Sequence, residues 1–388
     1  MWPERRATCK ADPGERMRAI VIGAGPAGLA SAVCLHRAGL EVTVLERSGR
    51  IGSAWHRHYD RLHLHTPRGR SHLPYLPMPR DWPRYPSREQ VIAYLQDYAA
   101  RFDIAPVFGA DVSSVARDDD GCWLVRHAKG RERAGIVVFA TGMAGRPHRP
   151  DWPGLEAFPG SVVHSSDYRN PAPFAGQRVL VVGFGNSGGE IALDLAEAGC
   201  PAGIVVRGPV NLLPRELLGV PILSFGLLQK ILPYRMADAI TAPVLRLALG
   251  DYARYGLRKA DKGPVAQVRE DGRIPLIDIG TLAKIRAGEI TVHPSIERIA
   301  GRAVRFADGS SAEYDAIVLA TGFEVDLRPI LGDMPEVLDN RGRPRVSGGP
   351  SGAEGLYFCS YKPSSEGQIR AMGYEAQVIA EDVARGLA

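Results

Sequence analysis

The sequence predicts an α/β fold of two Rossmann-like, three-layer dinucleotide-binding domains, and three observations carry that expectation. A glycine-rich turn, Gly23-Ala24-Gly25-Pro26-Ala27-Gly28, sits between an apolar run and a helical pattern. A second, Gly183-Phe184-Gly185-Asn186-Ser187-Gly188, repeats it at a constant offset of 160 residues, with Arg18 and Arg178 in the same register. Each turn is followed, after further strand-like segments, by an Ala-Thr-Gly, at Ala140-Thr141-Gly142 and at Ala320-Thr321-Gly322. Two copies of one supersecondary plan in one chain point to electron transfer between two bound dinucleotides.

Composition permits such a fold. With 388 residues and 45% apolar content the chain can bury a large core and divides into about two domains. The net charge is +5, only seven of the 48 basic residues are lysine, and they are scattered rather than gathered in a stripe. That usage reads as a genome-composition bias of bacterial type and not as a nucleic-acid footprint. Cys9, Cys34, Cys122, Cys200 and Cys359 are far apart and show no CxxC or CxxH spacing, so the expectation is a reduced, cytoplasmic protein without a zinc site or redox disulfide. No charge-free run of apolar residues is long enough to span a membrane. Residues 1–16 read as a loose extension, with Met17 a candidate start.

From Met17 to Glu46 the chain reads strand, glycine turn, helix, strand, as a parallel βαβ unit requires. The glycines let the backbone approach a pyrophosphate, to which the helix N-terminus offers amide donors. Glu46 closes the second strand, where a carboxylate accepts hydrogen bonds from unphosphorylated ribose hydroxyls, as in the adenosine of FAD. Residues 51–88, rich in Pro, His, Arg and aromatics, read as irregular chain over a ligand. Ser87–Arg101 reads as a capped amphipathic helix, followed by a short strand in 103–115 and a two-strand excursion around CWLVRH and RERAGIVVF. Each Ala-Thr-Gly ends a strand with small residues beside a ligand, or is a plain turn.

In the second copy the position of Glu46 is taken by Val206, followed by Arg207. An unopposed guanidinium there forks onto a 2′-phosphate, so this site is expected to prefer NADPH; otherwise Arg207 is a surface cation. Residues 209–278 form an insertion absent from the first half, with apolar stretches LLGVPILSFGLLQKIL and MADAITAPVLRLALG read as helical. It serves as a cover over a substrate cavity, as ordinary packing or a homodimer face, or as a membrane-surface contact. The last strand and helix, GLYFCSY and QIRAMGYEAQVIAEDVARGL, are expected to return to the first domain. The domains expected are an FAD-binding domain of 17–155 with 323–388, and an inserted NADPH-binding domain of 156–322.

The linker Phe158-Pro159-Gly160-Ser161-Val162-Val163-His164-Ser165-Ser166-Asp167-Tyr168 resembles the FxGxxxHxxxY element of the class B flavin-containing monooxygenases, which also stands between two glycine turns. Within that family the chain is most similar to the YUCCA enzymes, through Tyr59-Asp60-Arg61-Leu62-His63-Leu64-His65, Leu213-Pro214-Arg215-Glu216, Arg254-Tyr255-Gly256-Leu257 and Pro275-Leu276-Ile277-Asp278-Ile279-Gly280. The resemblance implies that NADPH reduces FAD, that reduced flavin forms a peroxide with dioxygen, and that one oxygen passes to a small substrate. For the YUCCA subgroup this is oxidative decarboxylation of indole-3-pyruvate; the alternative is N- or S-oxygenation of an amine or thioether.

By the same resemblance, His65 and Asn186 are assigned to catalysis. Gly23, Gly25, Pro26, Ala27, Gly28, Glu46, Arg47, Trp55, Leu64, His65, Val112, Thr141, Gly142, Gln368 and Ile369 are assigned to FAD. Gly183, Gly185, Asn186, Ser187, Gly188, Arg207 and Thr321 are assigned to NADPH, with no metal ligand. Two departures stand out: the family's GGxW is Gly52-Ser53-Ala54-Trp55 here, and His65 replaces the Asn that many members place beside the flavin. His65 is otherwise a satisfied structural histidine. His164 and Tyr168 are expected to couple domains rather than carry protons. A disulfide-reductase relative would need a CxxC that is missing, and a non-catalytic nucleotide sensor would bind without turnover.

Overall fold

The computed structural model describes residues 16–222 and 233–387. The first sheet contains β1 (Arg18–Ile22), β2 (Glu41–Glu46), β3 (Val107–Phe108) and β4 (Ile136–Phe139). The second contains β5 (Ser161–His164), β6 (Val179–Val182), β7 (Ala202–Val205), β8 (Ile290–His293) and β9 (Ala316–Leu319). A late strand, β10 (Leu356–Phe358), returns to the first. The orders are β10-β4-β1-β2-β3 and β8-β7-β6-β9-β5, with every neighbouring pair parallel. Buried on both faces, these strands are continuous apolar runs such as Val179–Val182 and Ile136–Phe139.

Helix α1 (Pro26–Arg37) crosses from β1 to β2 and is buried along Pro26–Leu35. It lies between the sheet and α6 (Gln368–Leu387), whose Ile369, Ala376, Ile379 and Val383 share its core cluster. That sandwiching explains why α1 is apolar all round. Helix α2 (Arg88–Arg101) has the expected capping box: the Gln90 amide N–H donates to Ser87 Oγ, and the Ser87 amide N–H donates to Gln90 Oε1 at 2.9 Å. Helix α3 (Asn186–Glu197) repeats α1 against the second sheet.

Three expectations are corrected and one strand is added. The excursion before β4 has three antiparallel strands, Val112–Arg117, Trp123–His127 and Gly130–Ala134, while the IVVF segment is β4 of the main sheet; a strand break at Gly135 separates them. The linker is partly structural: Ser161–His164 is edge strand β5, paired with β9. Of LLGVPILSFGLLQKIL, the described part is a hairpin, Glu216–Leu217 with Val220–Pro221, turned at Leu218 and Gly219 with φ of 50° and 77°. The rest of that stretch lies outside the described residues, as does the extension up to residue 15. Cys122 is disulfide-bonded, against the expectation of a reduced protein, whereas Cys34, Cys200 and Cys359 are free and buried.

The insertion contributes α4 (Tyr234–Leu249) and α5 (Pro264–Asp271). Asp238 on α4 binds them together: its carboxylate accepts the Val265 and Ala266 amides at 3.1 and 2.9 Å, capping the first turn of α5 from outside. Among the described residues no helix is long and apolar enough to cross a membrane.

Candidate cofactor cradles and the cavity between them

The two glycine turns have the same construction. A Cβ on Gly23 would lie 2.7 Å from the Ala140 carbonyl oxygen, and one on Gly183 2.4 Å from that of Ala320. A Cβ on Gly28 would lie 1.8 Å from the Gly23 oxygen, and one on Gly188 2.0 Å from the Gly183 oxygen. The outer glycines thus let strand, turn and helix close on one another, and the Ala of each Ala-Thr-Gly forms the abutment. Around Gly25 and Gly185 a Cβ would meet nothing within 4 Å. Each turn therefore leaves open space at the N-terminus of a twelve-residue helix, where backbone amides and the helix dipole favour a diphosphate. The donor set fits two dinucleotides.

The strand ends differ as the sequence indicated. Glu46 is buried; its oxygens accept the Ala24 and Ser48 amides at 2.8 and 2.9 Å, each keeping further acceptor capacity toward a ribose. Val206 is buried and donates its amide to the His293 carbonyl, which turns the adjacent Arg207 outward. Arg207 is exposed and has no ion pair among the described residues. Arg47 is exposed too.

A cavity of ≈ 290 Å³ lies between the halves. Trp55, Leu64, His65 and Thr66 line it from the segment after β2, and Asn186 from the start of α3. Gln368, Ile369 and Met372 line it from α6, while Leu213, Ile222, Leu245, Val268 and Ile277 belong to the insertion. The insertion thus supplies an apolar wall of this cavity. Asn186 Oδ1 accepts the Ile277 amide at 2.8 Å, so its acceptor is committed to tying α3 to that wall. The Gln368 side chain accepts the Ser364 amide at 3.1 Å and donates to the Lys362 carbonyl at 3.1 Å, shaping the loop before α6.

Other assigned residues stand elsewhere. The Val112 side chain, at the start of the three-stranded excursion, is buried in the core. Thr141 Oγ1 is 2.6 Å from the Tyr361 hydroxyl, beside Gly142 at φ 77°. Thr321 donates to the His148 carbonyl. Ser187 is half-buried, beside the Tyr59 hydroxyl. Pro26 and Ala27 are buried at the start of α1.

His164 and Tyr168 lie off the cavity and hold the linker. His164 Nε2 is 3.0 Å from the Gly322 carbonyl, and the Tyr168 hydroxyl donates to Asp194 on α3 at 2.7 Å. Arg61, from the segment after β2, reaches Asp194 and Glu197 at 3.2 and 2.8 Å. Arg61 therefore joins the segment after β2 to α3, whereas these hydrogen bonds of His164 and Tyr168 stay within the second half.

Sequence reasoning missed Glu190, which is 2% exposed on α3, 2.9 Å from His65 Nε2. A carboxylate two residues beyond a glycine motif gives no periodic signal, because only the tertiary fold brings His65 against it. Nearby, burial pushes the His58 imidazole down to about 4; Glu190 opposes that shift, and Arg169, Arg57 and Arg88 reinforce it. The folded state therefore binds this proton more weakly than the unfolded chain. Stability should be full above the ordinary value of 6.5 and fall as pH drops toward 4. Thermal melting across that window is expected to slope downward with acid, and less steeply in His58→Gln.

The flavin-binding monooxygenase-like family model matches residues 16–341. The chain is 41% identical over 351 residues to indole-3-pyruvate monooxygenase YUCCA1 of Oryza sativa subsp. japonica, covering 88% of this chain and 86% of that one. To indole-3-pyruvate monooxygenase YUCCA6 of Arabidopsis thaliana it is 40% identical, covering 94% and 89%. The fold superposes on a flavin-containing monooxygenase from Stenotrophomonas maltophilia with a TM-score of 0.75 at 23% identity, covering 96% and 100%. With the open form of cyclohexanone monooxygenase the TM-score is 0.73 at 20% identity, covering 96% and 88%. The curated relatives are plant proteins and lend no support to the bacterial source or the cytoplasmic location expected from composition. Two pyrophosphate cradles, a cavity walled by both halves and these likenesses converge: the chain belongs to the flavin-binding monooxygenase-like family, as an FAD enzyme that uses NADPH and dioxygen.

Proposed function

We propose that the chain oxidatively decarboxylates an aromatic 2-oxo acid of the indole-3-pyruvate type. The observation that carries this reading is the cavity, which is walled by apolar side chains of the insertion and floored by Trp55, His65 and Gln368 between the two cradles. Its ≈ 290 Å³ suits one bicyclic aromatic side chain, and the curated relatives bear the name of that activity. The balanced reaction is 2-oxo acid, dioxygen, NADPH and a proton giving the shorter carboxylic acid, carbon dioxide, water and NADP⁺.

When bound, FAD reduced by NADPH supplies the activation of dioxygen. The protein's part is to hold the nucleotides at Gly25 and Gly185, to place Glu46 and Arg207 at the two adenosines, and to exclude water with Leu213, Ile222, Leu245 and Val268. Trp55, Leu64, Gln368 and Ile369 would bound the flavin ring, and Asn186 would fix the cover rather than react. We take 17–155 with 323–388 as the FAD domain and 156–322 as the NADPH domain, which the placement of β10 and α6 supports.

A second reading, N- or S-oxygenation of an uncharged substrate, is favoured by one feature: no arginine or lysine lines the described cavity. A panel of 2-oxo acids, amines and thioethers, followed by NADPH consumption and product identity, separates the two. Carbon dioxide release with the shortened acid is the expected outcome; an N-oxide or sulfoxide as sole product would overturn the first reading.

A further inference from the structure

Behind the cavity wall, His65 forms an ionisable pair with Glu190 that the proposed chemistry has not used. Glu190 is 2% exposed, and neither of its oxygens has an aligned hydrogen bond to a described residue. His65 is close to buried, both ring nitrogens lack an aligned partner, and Nε2 is 2.9 Å from Glu190 Oε1. A buried carboxylate without a donor is costly, and the His65 imidazole is within reach of it beside the Tyr59 hydroxyl. The pair also spans the molecule: Glu190 is two residues beyond Gly188 of the second cradle, and His65 comes from the segment that floors the cavity.

We propose that Glu190 is the positioning residue for His65. It accepts the Nε2 proton, which fixes the orientation and tautomer of a ring that borders the cavity. The other titratable groups nearby differ from this pair. The Tyr59 hydroxyl also faces Glu190, but burial and then the Glu190 charge push its phenol well above its ordinary value, so it keeps its proton. His58 is held neutral by burial and its surrounding arginines. Asp194, on the same helix, is engaged with Arg61 and Tyr168, and Asp238 across the cavity caps α5.

The inference rests on the cavity being the reaction chamber, but its test does not need turnover. In FAD-loaded protein labelled with ¹⁵N-histidine, the His65 resonances are those lost in His65→Asn. They are expected to report the Nε2–H tautomer in the wild type and a mixture of tautomers in Glu190→Gln. Nδ1–H as the dominant wild-type form overturns the proposal without any variant. So does a wild-type tautomer that persists in Glu190→Gln. With a substrate that the panel identifies, Glu190→Gln should also divert roughly tenfold more of the NADPH consumed into hydrogen peroxide, with Glu190→Asp recovering part of the coupling. Unchanged coupling and an unchanged pH profile in a folded Glu190→Gln would reduce Glu190 to packing. Failure of every panel substrate would instead count against the proposed reaction while the tautomer result stands.

Discussion

Gly28→Ala is expected to yield a protein that purifies without yellow colour and melts at lower temperature even before flavin is added. A Cβ at this position would stand 1.8 Å from the Gly23 carbonyl oxygen, a backbone atom that cannot rotate away. Gly23 cannot retreat either, because its own Cα faces the Ala140 carbonyl. Relief requires α1 to move off the β1 turn. Overpacking of this sort costs about 1–3 kcal/mol, with backbone clashes at the upper end. This outweighs the ~1 kcal/mol by which Ala otherwise surpasses Gly inside a helix.

Gly25→Ala is the informative control. Gly25 has φ of −83°, which alanine adopts freely, and a Cβ there meets nothing within 4 Å. The variant should fold and melt like the flavin-free wild type and still bind FAD weakly, because the methyl group occupies space assigned to the pyrophosphate. Flavin absorbance of the purified proteins, with melting curves before and after added FAD, distinguishes the cases. Equal melting of Gly28→Ala and wild type without flavin would refute the steric argument.

Arg207→Ala is expected to erase the preference for NADPH over NADH. The guanidinium is exposed, has no ion pair among the described residues, and follows Val206, which stands just past β7 at the position equivalent to Glu46. A hydrogen bond to a charged group contributes roughly 1.5–3 kcal/mol, so kcat/KM for NADPH should fall about 10- to 100-fold while that for NADH barely changes. The melting temperature should be unaffected, since the side chain packs against nothing that the fold needs. An unchanged ratio of the two activities would move 2′-phosphate recognition to another cation.

The sequence by itself determined the two βαβ units, the glycine cradles, the contrast between Glu46 and Val206-Arg207, and the capped helix at Ser87. These are local in cause. Glycine spacing, strand runs and caps act over a few residues, and the constant offset let one copy check the other. The Ser161–His164 edge strand, the hairpin at residues 216–221 and the three-stranded form of the first excursion were not legible, because short strands form only when a neighbour is present to pair with them. The tertiary structure alone decided that Asn186 binds the Ile277 amide, that Asp238 joins α4 to α5, and that Glu190 meets His65. Each of these contacts joins positions far apart in the chain, and their chemistry comes from burial, which converts an ordinary surface acid into one that must find a proton donor.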